Sequence, residues 1–442
     1  MDLTLSLNKY KKALDEFSVE RDVGKITEVT GLIMKGYVTG CSLGSICEVY
    51  TLAGNKSFLA EVVGFAAGQV LLMPLNEIHG VGPGSRIELH KSKAFAGVGD
   101  ALLGRVIDGL GNPLDDKGDL DLQEELPLYQ ESGNPLGRDI IDEDLSVGIR
   151  AIDGLLTLGK GQRVGILAGS GVGKSVLLGM MAKNTSADVN VIALIGERGR
   201  EVKEFIEFNL GEEGLKKSVI VAVTSDQSPL VRMRGAFLAT AIAEYFAGQG
   251  SNVLMMMDSV TRFAMAQREI GLSAGEPPTS KGYTPSVFST LPKLLERAGH
   301  FKGSGSITGL YTVLVEGDDM NEPIADAVRS IVDGHIVLDR KIAQRAHFPA
   351  IDVLQSTSRV MKNVVTPEHL EVAQHIKENL SIYREAEDLI NIGAYRSGAN
   401  PKIDRSIQLI DGITNYLKQS FEEESDAEQA QIMMAQLIGG AG

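Results

Sequence analysis

The stretch from Val164 to Ser175 reads Val-Gly-Ile-Leu-Ala-Gly-Ser-Gly-Val-Gly-Lys-Ser, an apolar run that breaks into glycines and ends in Gly-Lys-Ser. Those residue types in that order suit the holding of a polyphosphate. Gly169, Gly171 and Gly173 let backbone N–H groups close around phosphate oxygens, because a side chain would block both the turn angles and the close approach. A helix that opens near Lys174 aims its positive end at the same anion. Lys174 is then placed to reach the β and γ phosphates of ATP, and the Ser175 hydroxyl to ligate Mg²⁺. Ala168, Ser170, Val172 and Val176 complete the loop, with Ala168 standing where the common pattern opens on glycine.

Two other apolar runs end in acids. Val253-Leu-Met-Met-Met-Asp258 finishes where a phosphate-loop enzyme keeps the carboxylate that holds the metal's water shell, so Asp258 joins Ser175 as a metal-side residue. Ile192-Ala-Leu-Ile-Gly-Glu-Arg-Gly-Arg-Glu201 brings Glu197 to the same sheet edge, where a carboxylate can orient and deprotonate an attacking water. Arg198 and Glu201 are positioned to fix Glu197, with Glu201 also near the metal. A plain solvated charge cluster is the competing reading of this segment.

These side chains need a sheet to converge. Between about Pro135 and Ser358, strand-like runs (Val164 to Ala168, Val189 to Ile195, Val219 to Val223, Val253 to Met257, Tyr311 to Val315, His335 to Leu338) alternate with helical stretches. That alternation predicts a mostly parallel sheet with ligands at its carboxyl edge. Ahead of it, Ser45 to Thr51, Leu59 to Val63 and Gln69 to Met73 are short β-rich runs between glycine turns, which predict a small β-barrel over residues 23–95. The turn-rich Leu103 to Pro113 marks the entry to an ATPase domain over 96–366. Residues 367–442 read as helical, with Ile403, Ile407, Ile410, Leu417 and Phe421 as one stripe and Glu422 to Asp426 as a solvated face. Leu3, Leu7, Tyr10, Leu14 and Phe17 make an amphipathic helix within residues 1–22, which packs on its own domain or docks on a partner helix.

Composition bounds the remainder. A chain of 442 residues with 43% hydrophobic content has room for about three cored domains. Its net charge of −15 argues against nucleic acid as the main partner, since a basic surface supplies most of that affinity. The two cysteines, Cys41 and Cys47, match neither a zinc nor a redox spacing and read as reduced thiols of a cytosolic protein. No signal segment opens the chain and no apolar run approaches the ~18 residues of a membrane span, so membrane contact is expected to be peripheral.

The combination of Ala168 to Ser175, Gly196-Glu-Arg-Gly-Arg-Glu201, Asp258 and Pro349-Ala-Ile-Asp-Val-Leu-Gln-Ser-Thr-Ser-Arg359 resembles the hexameric ATPases related to the F-type ATP synthase catalytic subunit, over nearly the whole chain. Within that family, Thr224 to Leu230, Ile270 to Phe288 and Glu316 to Asp326 look like the type III export ATPases, specifically the flagellar members. The resemblance implies an α/β protein with an N-terminal barrel, a RecA-like phosphate-loop domain and a helical C-terminal domain. It implies Mg-dependent ATP hydrolysis that energises export of flagellar proteins, in a homohexamer whose sites lie between chains. Lys174, Ser175, Glu197, Arg198 and Asp258 then come from one chain, and Arg359 is the arginine finger of its neighbour.

By the same resemblance Phe348 stacks on adenine, Arg262 helps hold the site, and Gly275 to Pro285 line the ring's opening around a coiled-coil stalk protein. A stator-like regulator on the N-terminal helix, export chaperones and substrates, and a membrane export gate are the other implied partners, with the protein cytoplasmic at the inner-membrane base of the flagellum. A virulence secretion ATPase and an ATP synthase catalytic subunit are the alternative enzymes. An RNA-translocating hexamer is disfavoured by the acidic chain and its few barrel aromatics.

Overall fold

The computed structural model describes residues 23–315, 317 and 319–439, so the expected helix over 1–22 lies outside the described residues. The described residues form two compact units, one holding 23–95 with 270–276 and the other the remainder from Ala96.

In the first unit, six strands close into a barrel: Val23–Thr30, Ile33–Tyr37, Ile46–Tyr50, Ser57–Ala66, Gln69–Pro74 and Arg86–Lys91. Each strand turns alternate residues inward, so that Ile26, Met34, Val49, Val62, Leu72 and Ile87 fill the interior. Cys41 and Cys47 are free thiols with their Sγ atoms 3.7 Å apart.

The second unit is built on a nine-stranded sheet. Its central strands, in spatial order Gly334–Leu338, Arg163–Ala168, Ser306–Leu314, Val253–Asp258, Val189–Glu197 and Ser218–Thr224, are all parallel. They are near-continuous apolar runs buried along their length, the pattern of a sheet covered on both faces. Every strand-like run expected between 164 and 338 is present, most extended by a residue or more. The Leu103 to Pro113 segment does more than enter the domain: Val106–Ile107 pairs in parallel with strand 218–224 as a sheet edge. Asp115 secures it by accepting from the Arg105 guanidinium and the Val106 N–H.

The C-terminal helices Pro367–Asn391, Pro401–Leu417 and Ala427–Gly439 belong to the same unit. Proline opens the first two behind the side-chain caps Thr366 and Asn400, the arrangement in which its missing N–H costs nothing. The buried stripe of helix 401–417 runs through Ser406, Leu409, Ile413 and Tyr416. The expected stripe is therefore partly rotated: Leu417 is buried as expected, Ile403, Ile407 and Ile410 are half-buried flanks, and Phe421 lies beyond the helix. The reason is tertiary, since the Tyr416 hydroxyl donates to Arg150 O at 2.8 Å and draws its own face inward. The expected solvated face also needs correcting at one position. Glu423 is half-buried and accepts from the guanidinium of Arg150, which is itself buried.

Candidate active site

Strand 163–168 delivers the chain to a turn that passes through Gly171 at φ +77° and Gly173 at φ +89°. Both angles fall in the left-handed region that glycine tolerates, whereas Gly169 does not need it. Gly173 caps helix Lys174–Asn184 without any side-chain bond to the first-turn N–H groups, which remain free for an anion. Ala168, Gly169, Ser170, Lys174, Ser175 and Val176 line a cavity of about 640 Å³ that also touches Glu197, Arg198, Glu201, Arg262 and Arg340. Val172 instead points into the core at 2% exposure.

Glu197 reaches this cavity through a bulge. Strand 189–197 slips register against strand 218–224 between Ile195 and Glu197, at Gly196, whose φ is +73°. A Cβ on Gly196 would come within 2.9 Å of Arg262 Cβ, so only glycine lets the strand end so close to Arg262. Asp258 ends the adjacent strand, in register with Leu194, and is 4% exposed.

The charges at this edge are incompletely matched. Lys174 Nζ donates to Asp258 Oδ1 and lies 3.9 Å from Glu197 Oε1. The hydroxyl of Thr312, on strand 306–314, donates to the same Asp258 Oδ1 at 2.7 Å. Glu197 Oε1 is buried without a hydrogen-bond partner. Burial, and then the Asp258 charge, push the Glu197 carboxyl up to about 7; Lys174 and Arg262 pull the other way and a hydrogen bond to Glu201 adds to the rise. A carboxylate poised near neutrality in a cavity lined by the glycine loop has the character of a general base.

Ser175, Glu197, Glu201 and Asp258 share a second, small recess beside the loop. Its donors are hard oxygens, a hydroxyl and carboxylates, and one carboxylate oxygen is orphaned, which fits Mg²⁺ in kind. Among the described residues, no cluster of three His, Cys, Asp or Glu could cage a metal. Mg²⁺ in nucleotide sites needs no such cage, keeping waters and phosphate oxygens as most of its ligands. Glu201 is half-exposed and paired with Arg198 at 3.3 Å, and Arg198 is 80% exposed.

Two further expected residues lie outside the lining of the cavity, one beside the loop and one far from it. Phe348 is 47% exposed, and its ring approaches to 3.5 Å of where a Gly173 Cβ would stand. Arg359 follows Thr357–Ser358, which pairs with Gly334 and His335 at the amino end of strand 334–338, whereas Ala168 pairs with Leu338 at its carboxyl end. Four strand steps span about 13 Å, beyond an arginine's reach. Arg359 is exposed, and the chain's own cavity does not include it.

Sequence reading missed Arg340 and Thr312. Arg340 opens the short helix Arg340–Gln344 just past the end of strand 334–338, so following that expected strand to its carboxyl end would have found it. Thr312 carried no such signal, because only the sheet register shows which residue it meets.

Sheet order, glycine loop and strand-end acids together define a phosphate-loop nucleotide hydrolase. Residues 148–358 match the model of the ATP synthase alpha/beta family, nucleotide-binding domain, and 365–436 match the T3SS EscN ATPase C-terminal domain. The chain is 54% identical over 417 residues to the flagellum-specific ATP synthase of Bacillus subtilis, covering 94% of this chain and 95% of that one. It is 48% identical to the type 3 secretion system ATPase of Xanthomonas euvesicatoria, over 95% of this chain and 94% of that one. The structure of the assembled ATPase EscN from the enteropathogenic E. coli type III secretion system superposes with a TM-score of 0.89 at 48% identity, covering 94% of this chain and all (100%) of that one. EscN in complex with its central stalk EscO gives a TM-score of 0.87 at 47% identity, again over 94% and 100%. The chain belongs to the family of flagellum-specific ATP synthases and type III secretion ATPases, and it is an ATP-binding ATP hydrolase.

Proposed function

We propose that the chain is a Mg-dependent ATPase that energises export of flagellar proteins, working as a homohexamer whose sites are completed between neighbours. The observation that carries the shared site is the placement of Arg359: every other functional side chain gathers at the carboxyl edge, while Arg359 projects from the opposite end of the sheet. A second copy could bring its Arg359 to this edge, which the chain's own Arg359 does not reach.

In this reading the loop N–H groups and Lys174 take the β and γ phosphates, with Lys174 released from Asp258 as it does so. Glu197 accepts a proton from the water that attacks the γ-phosphorus in line, the bond to the bridging oxygen breaks, and ADP leaves. When bound, Mg²⁺ would be held by the Ser175 hydroxyl and, through water, by Asp258, and would neutralise charge on the β and γ phosphates. Arg262 steadies the phosphate end, Arg198 and Glu201 steady Glu197, and Phe348 stacks on adenine beside Val176. Arg359 of the neighbouring chain stabilises the charge that develops on the transferring group.

We further assign the barrel to 23–95, the ATPase domain to 96–366 and the helical domain to 367–442. The last of these receives chaperones and export substrates near the membrane gate. The segment Gly275 to Pro285 faces a coiled-coil stalk, in keeping with the EscN complex with EscO. A stator-like regulator binds the N-terminal helix, which puts the protein in the cytoplasm at the base of the flagellum. No helix among the described residues is long and apolar enough to cross a membrane.

Specific activity measured across a wide protein concentration range, with Glu197→Gln as the blank, tests the assembly: it should rise with concentration. Absence of activity at all concentrations would mean that a different subunit is required, as in an ATP synthase. A virulence secretion ATPase is the second reading, favoured by the Xanthomonas and EscN likenesses. Loss of motility against loss of effector secretion in a deletion strain separates the two.

A further inference from the structure

Strand 306–314 lies beside strand 253–258, and their register sets Met257 against Tyr311. Thr312 therefore comes one step further along, at the same carboxyl edge as Asp258. Its neighbours Leu310, Tyr311 and Val313 are fully buried, and so is Thr312, at 0% exposure. Valine would fill that volume equally well, and an interior hydroxyl costs stability unless it is hydrogen-bonded. The Thr312 oxygen lies 2.7 Å from Asp258 Oδ1 and 3.3 Å from Met257 O. It has one proton to give, and the shorter contact to a charged acceptor takes it.

We propose that Thr312 is a positioning residue for the hydrolytic reaction, holding the Asp258 carboxylate in place while Lys174 passes from it to the bound phosphates. This rests on the reading of Asp258 as the metal-side carboxylate. Asp258 Oδ1 has two donors, Lys174 and Thr312. A loop lysine that turns to the phosphates abandons a carboxylate that is 4% exposed. Left without a donor, that oxygen would either resist the departure of Lys174 or turn away from the recess it shares with Ser175. The Thr312 hydroxyl removes both outcomes, because it comes from the sheet and does not move with the loop.

The test compares Thr312→Val with Thr312→Ser in the full chain, using kcat and the affinity for a fluorescent ATP analogue with Mg²⁺ and with EDTA. Thr312→Val is expected to lower kcat by about tenfold to a hundredfold, the range for one hydrogen bond to a charged group. The gain in affinity conferred by Mg²⁺ should shrink by about tenfold on the same basis, with affinity in EDTA unchanged. Thr312→Ser should recover most of both. Thr308→Val is the control on the same strand: it removes the oxygen that accepts from Gly161 N, and should lower thermal stability while leaving the Mg²⁺ dependence alone. Thr312→Ala replaces Thr312→Val if the valine variant does not fold. Wild-type kcat and Mg²⁺ dependence in Thr312→Val would overturn the proposal, as would a serine variant as impaired as the valine one. Asp258→Asn separates the two levels: unchanged Mg²⁺ dependence there would sink the reading of Asp258 itself.

Discussion

Charged side chains gather at both ends of the central sheet and are matched there to different degrees. At the amino end, Arg163 pairs with Asp333 at 3.0 Å and Glu296 at 2.6 Å, and the fully buried Arg297 side chain binds both oxygens of Glu244 and the Leu128 carbonyl. At the carboxyl end, one lysine serves two carboxylates, a Glu197 oxygen has no donor, and the helix behind Gly173 opens on bare N–H groups. A buried charge that is fully met has little left to give to a ligand. The electrostatic demand left open at the carboxyl end is what MgATP would satisfy, which is why we propose the unmatched end as the working one.

Arg359 gives the sharpest way to break that contrast, because it is an amino-end cation assigned to catalysis. Arg359→Ala should lower turnover by about 10³- to 10⁵-fold, the range for an arginine finger, with nucleotide binding retained in a fluorescence titration. Glu197→Gln should reduce turnover by about 10²- to 10⁴-fold, again with binding intact. Because burial raises the folded-state pKa of Glu197, its stabilising contribution is complete at low pH and disappears as pH rises through about 7. Glu197→Gln should therefore raise Tm at pH 8, and a lower Tm would mean that the carboxylate is structural.

At the matched end, Arg297→Met leaves Glu244 without its partner. It should weaken folding by about 3 to 5 kcal/mol, read from denaturant unfolding, while the folded fraction keeps its KM for ATP. A smaller effect comes from acidification. If Glu197 is the base it must be ionised, so kcat/KM should fall about tenfold for each pH unit below 7 and level off above it. Phe348→Ala should be mildest, raising KM about three- to tenfold through lost stacking.

The working end was largely legible because its residues sit where local sequence is most informative. Gly171, Gly173 and Lys174 form one contiguous signal, and Glu197 and Asp258 each close a run of buried apolar residues. The matched end was not legible: Arg163 and Asp333 are 170 residues apart, and their pairing exists only once strands 163–168 and 334–338 align. Thr312 failed for the same reason, its partner being fixed by register across two strands. Helix 401–417 shows a related limit, because its apolar spacing allowed two neighbouring stripes and the Tyr416 bond to Arg150 selected one. Local pattern therefore picked out the residues that the fold gathers at the candidate site, while long-range pairing determined what supports them.

The most direct test of a site completed between chains is to mix Arg359→Ala protein with Lys174→Ala protein. Each is expected to be inactive alone, since one lacks the finger and the other the loop lysine. Mixed rings would contain sites with an intact loop from one chain and an intact finger from the next, so ATPase activity should appear on mixing and grow with the time allowed for exchange. A mixture that stays as inactive as its components, although the two proteins co-assemble, would contradict the shared site and return Arg359 to a structural role.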